Sequence, residues 1–559
     1  MDFQRIILGS TLAVITYMLV LQWGKDYGTQ PVVVEQTQTV SAYGSTSSTS
    51  DAPSLAVTSS TADTDKPLTD VPEISSTADA ESTGQLISVK TDVLNVLIDT
   101  KGGDIIEVSL PKHKALLGSD SPFVLLEQND ERTYIAQSGL FNKDGPDFSA
   151  KIGRPVYTSD SSSYTLDGDS LQVNLVFVHN GVTITKRFSF TKGKYSVVLD
   201  YIIDNKTAKN WQAQLFGQIK RNDFADPTSQ TEMGMQSYLG PVFSTVTDSY
   251  NKFDFSDIDD GKQFKENSLD GWVAMSQHYF ISAWVPAPGT EYLYKSEPRK
   301  IGSPYYRIGF VSPMIDVAAG TTSTVSATFY AGPKDQAQME EVAPALNLTV
   351  DYGWLWWIAS PLYWLLTTIH GFLGNWGLAI IGITITVKAA LFQLNAKAFR
   401  SMAKMRKFGP VIASLKEKHG DDKQKMSKEM MELYKKEKIN PLGGCLPIVA
   451  QMPIFIALYW VLMESVELRH ASFLYLTDLS VLDPYYILPI LMGASMFIQQ
   501  SLNPAPPDPM QAKIMKMLPI IFTFFFLWFP AGLTLYWVVN NILSIAQQYV
   551  INKKIEKES

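Results

Sequence analysis

The chain has 559 residues, enough for two or three domains, and a net charge of −8 at pH 7, which makes no case for a DNA-binding protein. Its single cysteine, Cys445, excludes a disulfide framework. A mean hydropathy near zero averages a polar N-terminal half and an apolar C-terminal half, two stretches of chain suited to different solvents.

In chain order, residues 1–28 hold an apolar run behind Arg5 with no small-residue cleavage site at residues 21–27. This predicts an uncleaved transmembrane anchor. Residues 29–84 are rich in Ser, Thr, Asp and Ala and nearly free of aromatics, a composition that cannot bury enough apolar surface to order itself. They are read as a disordered tether.

Residues 85–345 turn to short alternating strands. Two apolar-polar runs flank His179-Asn180-Gly181, and Asn-Gly between such runs is the strongest short-range hairpin signal. A further turn at Lys192-Gly193 continues the meander, so the region reads as one large antiparallel β-sandwich. No carboxylate pair or histidine site suggests catalysis there, and His278 reads as a packed or surface histidine.

Residues 346–360 and those just after carry four tryptophans and two tyrosines between Asp351 and Trp364. Such clusters settle at headgroup level, which predicts an interfacial amphipathic helix separated by Pro361 from a span at 361–396. That span contains Lys388. A cation inside a membrane segment costs about 2.5–3.5 kcal/mol on insertion scales, so it faces protein or a wet cavity, or snorkels to the surface. Thr384 lies one turn earlier on the same face, and later apolar segments bear Gln451, Gln499, Gln500, Asn540 and Asn541. A polar, partly hydrated recess among helices follows from that polarity.

Residues 397–440 carry 13 Lys or Arg against 6 Asp or Glu, an excess of 7 positive charges. Apolar spacing of three and four on either side of residues 419–422, with Asp421 or Asp422 as N-cap, predicts a basic helical hairpin. The charge is either a solvated face obeying the positive-inside rule or a docking surface for anionic headgroups or ribosomal RNA. Further spans are expected at 441–466, 485–502, 514–530 and 531–551, linked by 467–484 and 503–513, with a short basic tail at 552–559. With six spans and both termini in the cytoplasm, the basic segments lie inside and the β domain lies across the membrane. Cys445 would be a small buried apolar residue.

Seven motifs carry a resemblance: Ser401-Met-Ala-Lys-Met-Arg406, Asp421-Asp-Lys-Gln-Lys425, Asn440-Pro-Leu-Gly-Gly-Cys445, Gln451-Met-Pro-Ile-Phe455, Asp483-Pro-Tyr-Tyr-Ile-Leu-Pro-Ile-Leu-Met-Gly493, Asp508-Pro-Met-Gln511 and Phe526-Leu-Trp-Phe-Pro-Ala-Gly532. The chain resembles the YidC membrane protein insertases of Gram-negative bacteria. The resemblance implies a polytopic α-helical membrane protein of six spans with a five-helix insertase core. It also implies a large periplasmic β-sandwich of supersandwich type, a cytoplasmic helical hairpin and residence in the bacterial inner membrane. It implies no catalytic residue, metal or cofactor.

By the same resemblance, a hydrophilic groove open to cytoplasm and lipid receives the polar part of a nascent membrane protein, alone or beside the Sec translocon with its SecD/SecF accessory subunits. Lys388 stands where relatives have a groove arginine, and Thr384, Gln451, Trp528, Tyr536 and Trp537 match other groove positions. Lysine keeps the charge of arginine but loses its planar fork, and relatives often have tyrosine at the Trp537 position. Arg400, Lys404, Arg406 and Lys407 are the candidate contacts for ribosome or anionic lipid. A secondary transporter or channel with Lys388 as an ion or anion site is the alternative reading; it predicts inverted repeats, which the sequence lacks.

Overall fold

A computed structural model describes residues 84–148, 153–228, 237–297, 299, 304–419, 422–436, 446–503 and 509–557. The expected anchor at 1–28, nearly all of the expected tether, and the Asn440–Cys445 motif lie outside these residues. The described residues fall into two compact units. The first holds the strands up to His113 together with Pro122–Gly332; the second holds Lys114–Ser121 and the chain from Pro333 onward.

Two sheets, of 11 and 8 strands, build the first unit. Strands Ser170–His179 and Val182–Thr191 pair antiparallel, with His179 opposite Val182. Between them Asn180 and Gly181 both take positive φ, 51° and 80°, as a two-residue turn matching the strand twist requires. Gly193, at φ 75°, turns the chain into Ser196–Asn205, which pairs with Val182–Thr191 and with Thr322–Pro333. Strict alternation of buried and half-buried residues along Val182–Thr191 puts its apolar side inward.

The sheets meet through Tyr134 OH and Ser282 Oγ, 2.7 Å apart, through Trp284 Nε1 donating to the Gln218 carbonyl at 3.1 Å, and through Phe123 stacked on Phe280. One pairing departs from the antiparallel expectation: Leu86–Lys90 runs parallel to Ser163–Thr165. His278 is packed, its ring stacked on Tyr279 and its backbone N–H donated to Asp226.

A charged cluster lies inside this unit. Lys186 is fully buried and its Nζ donates to the carbonyl oxygens of Gly102, Gly103 and Ser138 at 3.1, 2.7 and 3.1 Å. Arg154 bridges the Asp104 and Asp147 carboxylates, and Gln137 donates to Asp104 at 2.8 Å. Burial pushes the Asp147 carboxyl up and the Lys186 ammonium down. Three acceptors around one nitrogen match the three N–H groups of an ammonium, so the geometry holds Lys186 charged.

The second unit is helical. Helix α1, Gln336–Val342, is capped by Asp335, whose side chain accepts from the Gln338 N–H at 3.2 Å. Short 3-10 turns at Leu346–Thr349 and Gly353–Leu355 lead into α2, Trp356–Leu373. Here the structure corrects the expected boundary: α2 runs through Pro361, and the break falls at Gly374 and Asn375. Pro361 sits in the second turn of α2, where the loss of one N–H donor is tolerated. Gly374 ends the helix at φ 65° with its N–H on the His370 carbonyl, and the Asn375 side chain caps α3, Trp376–Ala390. The expected span at 361–396 is therefore most of α2, from Pro361 onward, all of α3 and the start of α4, Phe392–Lys407.

The first arm of the expected hairpin is likewise split. Helix α4 stops at Lys407 and α5, Gly409–His419, restarts with Pro410 in its first turn, the position where proline costs no hydrogen bond. Helix α6, Lys423–Lys436, packs on α5, with Asp422 as its cap through the Lys425 N–H at 3.1 Å. Then follow α7, Leu446–Glu464; α8, Ile487–Ser501; α9, Pro509–Phe525; and α10, Ala531–Lys557. Among the described residues no single helix is long and apolar enough to cross a membrane, while α3 and the first part of α4 meet that test together across a 66° bend.

Candidate functional site

Three helices place polar side chains together. Helix α10 packs against α3, α4, α7 and α8. Thr384 and Lys388 are four residues apart on α3 and so share a face; Tyr536, Asn540 and Ser544 form a stripe of the same spacing on α10. Gln451 comes from the first turns of α7.

Lys388 Nζ donates to Ser544 Oγ at 2.8 Å and to Gln451 Oε1 at 3.4 Å. Gln451 Nε2 donates onward to Asn540 Oδ1 and to Tyr536 OH, the latter at 3.3 Å, and Ser544 Oγ donates to the Asn540 carbonyl at 2.7 Å. Each acceptor of the ammonium thus passes a hydrogen bond on, a polarised arrangement that favours the cation. Tyr536, Asn540 and Ser544 are buried and Lys388 is half-buried. Among the described residues no carboxylate pairs with Lys388. A positive charge held by neutral groups alone remains available to an incoming anion.

Of the six sequence-derived groove residues, Lys388, Gln451 and Tyr536 share this network. Thr384 stands one turn before Lys388, fully buried, its hydroxyl donated to the Ile380 carbonyl at 2.6 Å. Trp537 packs edge-on against Phe455 and Phe526, ring centroids 4.9 and 5.8 Å away, and its indole N–H is buried with no partner among the described residues. Trp528, in the turn between α9 and α10, stands edge-on to Phe524 at 4.7 Å, outside the network. Ser544 was missed by sequence reasoning, although the four-residue spacing Tyr536, Asn540, Ser544 was visible. The neighbouring stripe has a plainer use: Asn541 donates to Ser495 on α8 and Gln548 to Asn503 just beyond it. Arg400 is exposed on α4, and Lys404, Arg406 and Lys407 occupy the last two turns of that helix.

The arrangement is a β-sheet domain followed in the chain by apolar helices that hold a half-buried cation. Residues 86–365 match the family model for the YidC periplasmic domain, and residues 368–558 match that of the 60Kd inner membrane protein. The chain belongs to the YidC family of membrane protein insertases. It is 53% identical over 563 residues to the membrane protein insertase YidC of Marinomonas sp. (strain MWYL1), covering all of both chains. It is 51% identical over 567 residues to that of Pseudomonas fluorescens (strain SBW25), covering 100% of this chain and 99% of the relative. A crystal structure of an active YidC insertase with the first transmembrane domain resolved is 17% identical, covers 84% of this chain and 95% of that one, and superposes at a TM-score of 0.38. Insertases are not enzymes, and membership in this family sets aside the transporter alternative.

Proposed function

We propose that this chain inserts, folds and helps assemble inner-membrane proteins by receiving the polar or acidic translocated part of a nascent client beside Lys388. The observation that carries the reading is the ammonium held by Ser544 and Gln451 with no carboxylate among the described residues to neutralise it. At an effective dielectric of about 40, suited to a half-exposed and wet site, a unit negative charge about 6 Å away is attracted by roughly 1.4 kcal/mol, about twice the value in bulk water.

Helix α3 has 15 residues and is about 22 Å long, shorter than the ~30 Å hydrocarbon core. Bilayer thinning around it shortens the barrier that a polar segment crosses. Partition of the client's own apolar segment into lipid then drives release, so no nucleotide or other cofactor is needed.

In this reading six spans place both termini and the basic hairpin in the cytoplasm and the β domain in the periplasm, in keeping with the excess of positive charge at 397–440. Arg400, Lys404, Arg406 and Lys407 serve docking to anionic lipid and to the ribosome, and the protein works alone or with the Sec translocon and its SecD/SecF subunits. The test is insertion of a small two-span client with an acidic translocated loop into vesicles containing only this protein, scored by protease protection. Protection above that of empty vesicles supports an autonomous insertase. Background protection with correctly oriented, folded protein refutes it.

A further inference from the structure

The hairpin tip between strands Asp104–Lys114 and Pro122–Gln128 belongs to the helical unit, although its strands belong to the β domain. Its turn is well formed: Ala115 N–H donates to the Ser121 carbonyl at 2.9 Å, Ser119 N–H to the Leu116 carbonyl at 3.1 Å, and Gly118 takes φ 80°. Yet this ordered tip displays two leucines, Leu116 at 68% and Leu117 at 49% exposure. Two lysines precede them: Lys112, 3.7 Å from Asp92, and Lys114, 3.7 Å from Asp120, keep more than half of their side chains exposed in these surface pairs.

What holds the tip is the connection between α7 and α8. Arg469, on that connection, donates from Nη2 to the Ala115 carbonyl at 2.9 Å. The same end of the helices carries the exposed aromatics. Trp354, Trp356 and Trp357 are 73, 63 and 60% exposed at the start of α2. That start is fixed near the end of α7, since Gly353 lies beside Trp460 and Tyr363 OH donates to Glu467 at 2.6 Å. On the α7–α8 connection itself Leu474 is 84% exposed and Tyr485 68%.

We infer that Leu116 and Leu117 form a lipid finger, inserted in the outer leaflet of the bilayer that the helices span, with Lys114 at the level of anionic headgroups. Three features select lipid as the occupant. The tip is anchored to a loop joining two apolar helices. It continues an exposed tryptophan and tyrosine rim of the kind that settles at a membrane interface. Its leucines follow the largely exposed Lys114, a basic residue behind an apolar tip, which suits an acyl layer beneath phosphates. The inference rests on the reading of α8 and its neighbours as membrane-spanning.

The experiment uses the full-length protein with Cys445→Ser, reconstituted in vesicles of zwitterionic and anionic phospholipid. A polarity-sensitive fluorophore is attached at Leu116→Cys, at Phe497→Cys, which is 62% exposed on α8, or at Asp167→Cys on the β domain surface. The inference expects blue-shifted emission at 116, most of it quenched by lipids carrying a nitroxide near the headgroup and little by one deep in the acyl chain. Position 497 should be quenched by the deep nitroxide and position 167 by neither. Water-like emission at 116 with 497 quenched overturns the finger and leaves the spans standing. A blue shift at 116 without lipid quenching also overturns it, because protein then covers the tip. Failure of quenching at both 116 and 497 overturns the membrane reading together with the finger.

Discussion

Reversing the charge at position 388 is the sharpest test of the recess. In Lys388→Glu, Ser544 and Gln451 would face a carboxylate, and Gln451 would have to rotate its amide to donate to it. For a client carboxylate about 6 Å from the side chain, an effective dielectric of about 40, suited to a half-exposed and wet site, gives roughly 1.4 kcal/mol of attraction. Reversal turns that into repulsion, a difference of about 3 kcal/mol and about a hundredfold in occupancy of the recess. Lys388→Arg keeps the charge and is expected to insert near the wild-type level. The assay is the initial rate of protease-protected insertion for one client in two forms, its translocated acidic residues intact or replaced by their amides. The expectation is at least a tenfold loss for the acidic form in Lys388→Glu and little change for the amide form. Equal activity of the Glu and Arg variants on the acidic client, or equal loss for both clients, would refute the groove-charge argument.

Ser544→Ala should lower insertion of the acidic client about threefold, because one net hydrogen bond to the ammonium is worth roughly 0.5–1 kcal/mol once water can replace it. Ser544→Thr should restore the rate, whereas an unchanged Ala variant would make Ser544 a bystander. Lys186→Met strips the donors from the Gly102, Gly103 and Ser138 carbonyls, and breaking such a buried ionic cluster costs about 3–5 kcal/mol. Hydrogen exchange in Val182–Thr191 of the full-length protein should accelerate accordingly, and unchanged protection would count against the cluster's structural weight. Burial and then nearby Asp335 raise the Glu467 carboxyl, while the hydrogen bond from Tyr363 opposes that shift. A raised folded value means the native state holds the proton longer, so this contribution to stability is full below the ordinary carboxylate range and is lost as pH climbs toward neutral. Local exchange at Val466–Leu468, corrected for intrinsic rate, should therefore speed up over that range in the wild type but stay flat in Glu467→Gln. A pH dependence that persists in the Gln variant would refute the assignment.

Features written in neighbouring residues were legible in the sequence, and those assembled from distant ones were not. The Asn180-Gly181 turn could be read because both positive φ angles are the property of two adjacent residues. Pro361 misled for the converse reason: a proline early in a helix removes only one donor, and the stronger signal was Gly374 followed by Asn375, a C-terminal glycine against an N-cap. Lys388 announced itself by its cost in an apolar run. Its partners, 63 and 156 residues away, could be found only once α7 and α10 were packed beside α3. The cluster of Asp104, Asp147, Arg154 and Lys186 left no sequence trace, since each member is an ordinary polar residue on its own strand or loop and only the closed sheets make it a buried group.

That cluster bears on the order in which the β domain can close. Asp104 and Asp147 come together at Arg154 in the finished structure, with Lys186 sunk among the carbonyls of Gly102, Gly103 and Ser138. A chain emerging in sequence order presents the two carboxylates before either cation. A fold closed without Arg154 would hold two carboxylates against each other, and one closed without Lys186 would bury three carbonyls lacking donors. The buried group is complete only once residue 186 has joined residues 102–154, an order set by where four charges fall along the chain.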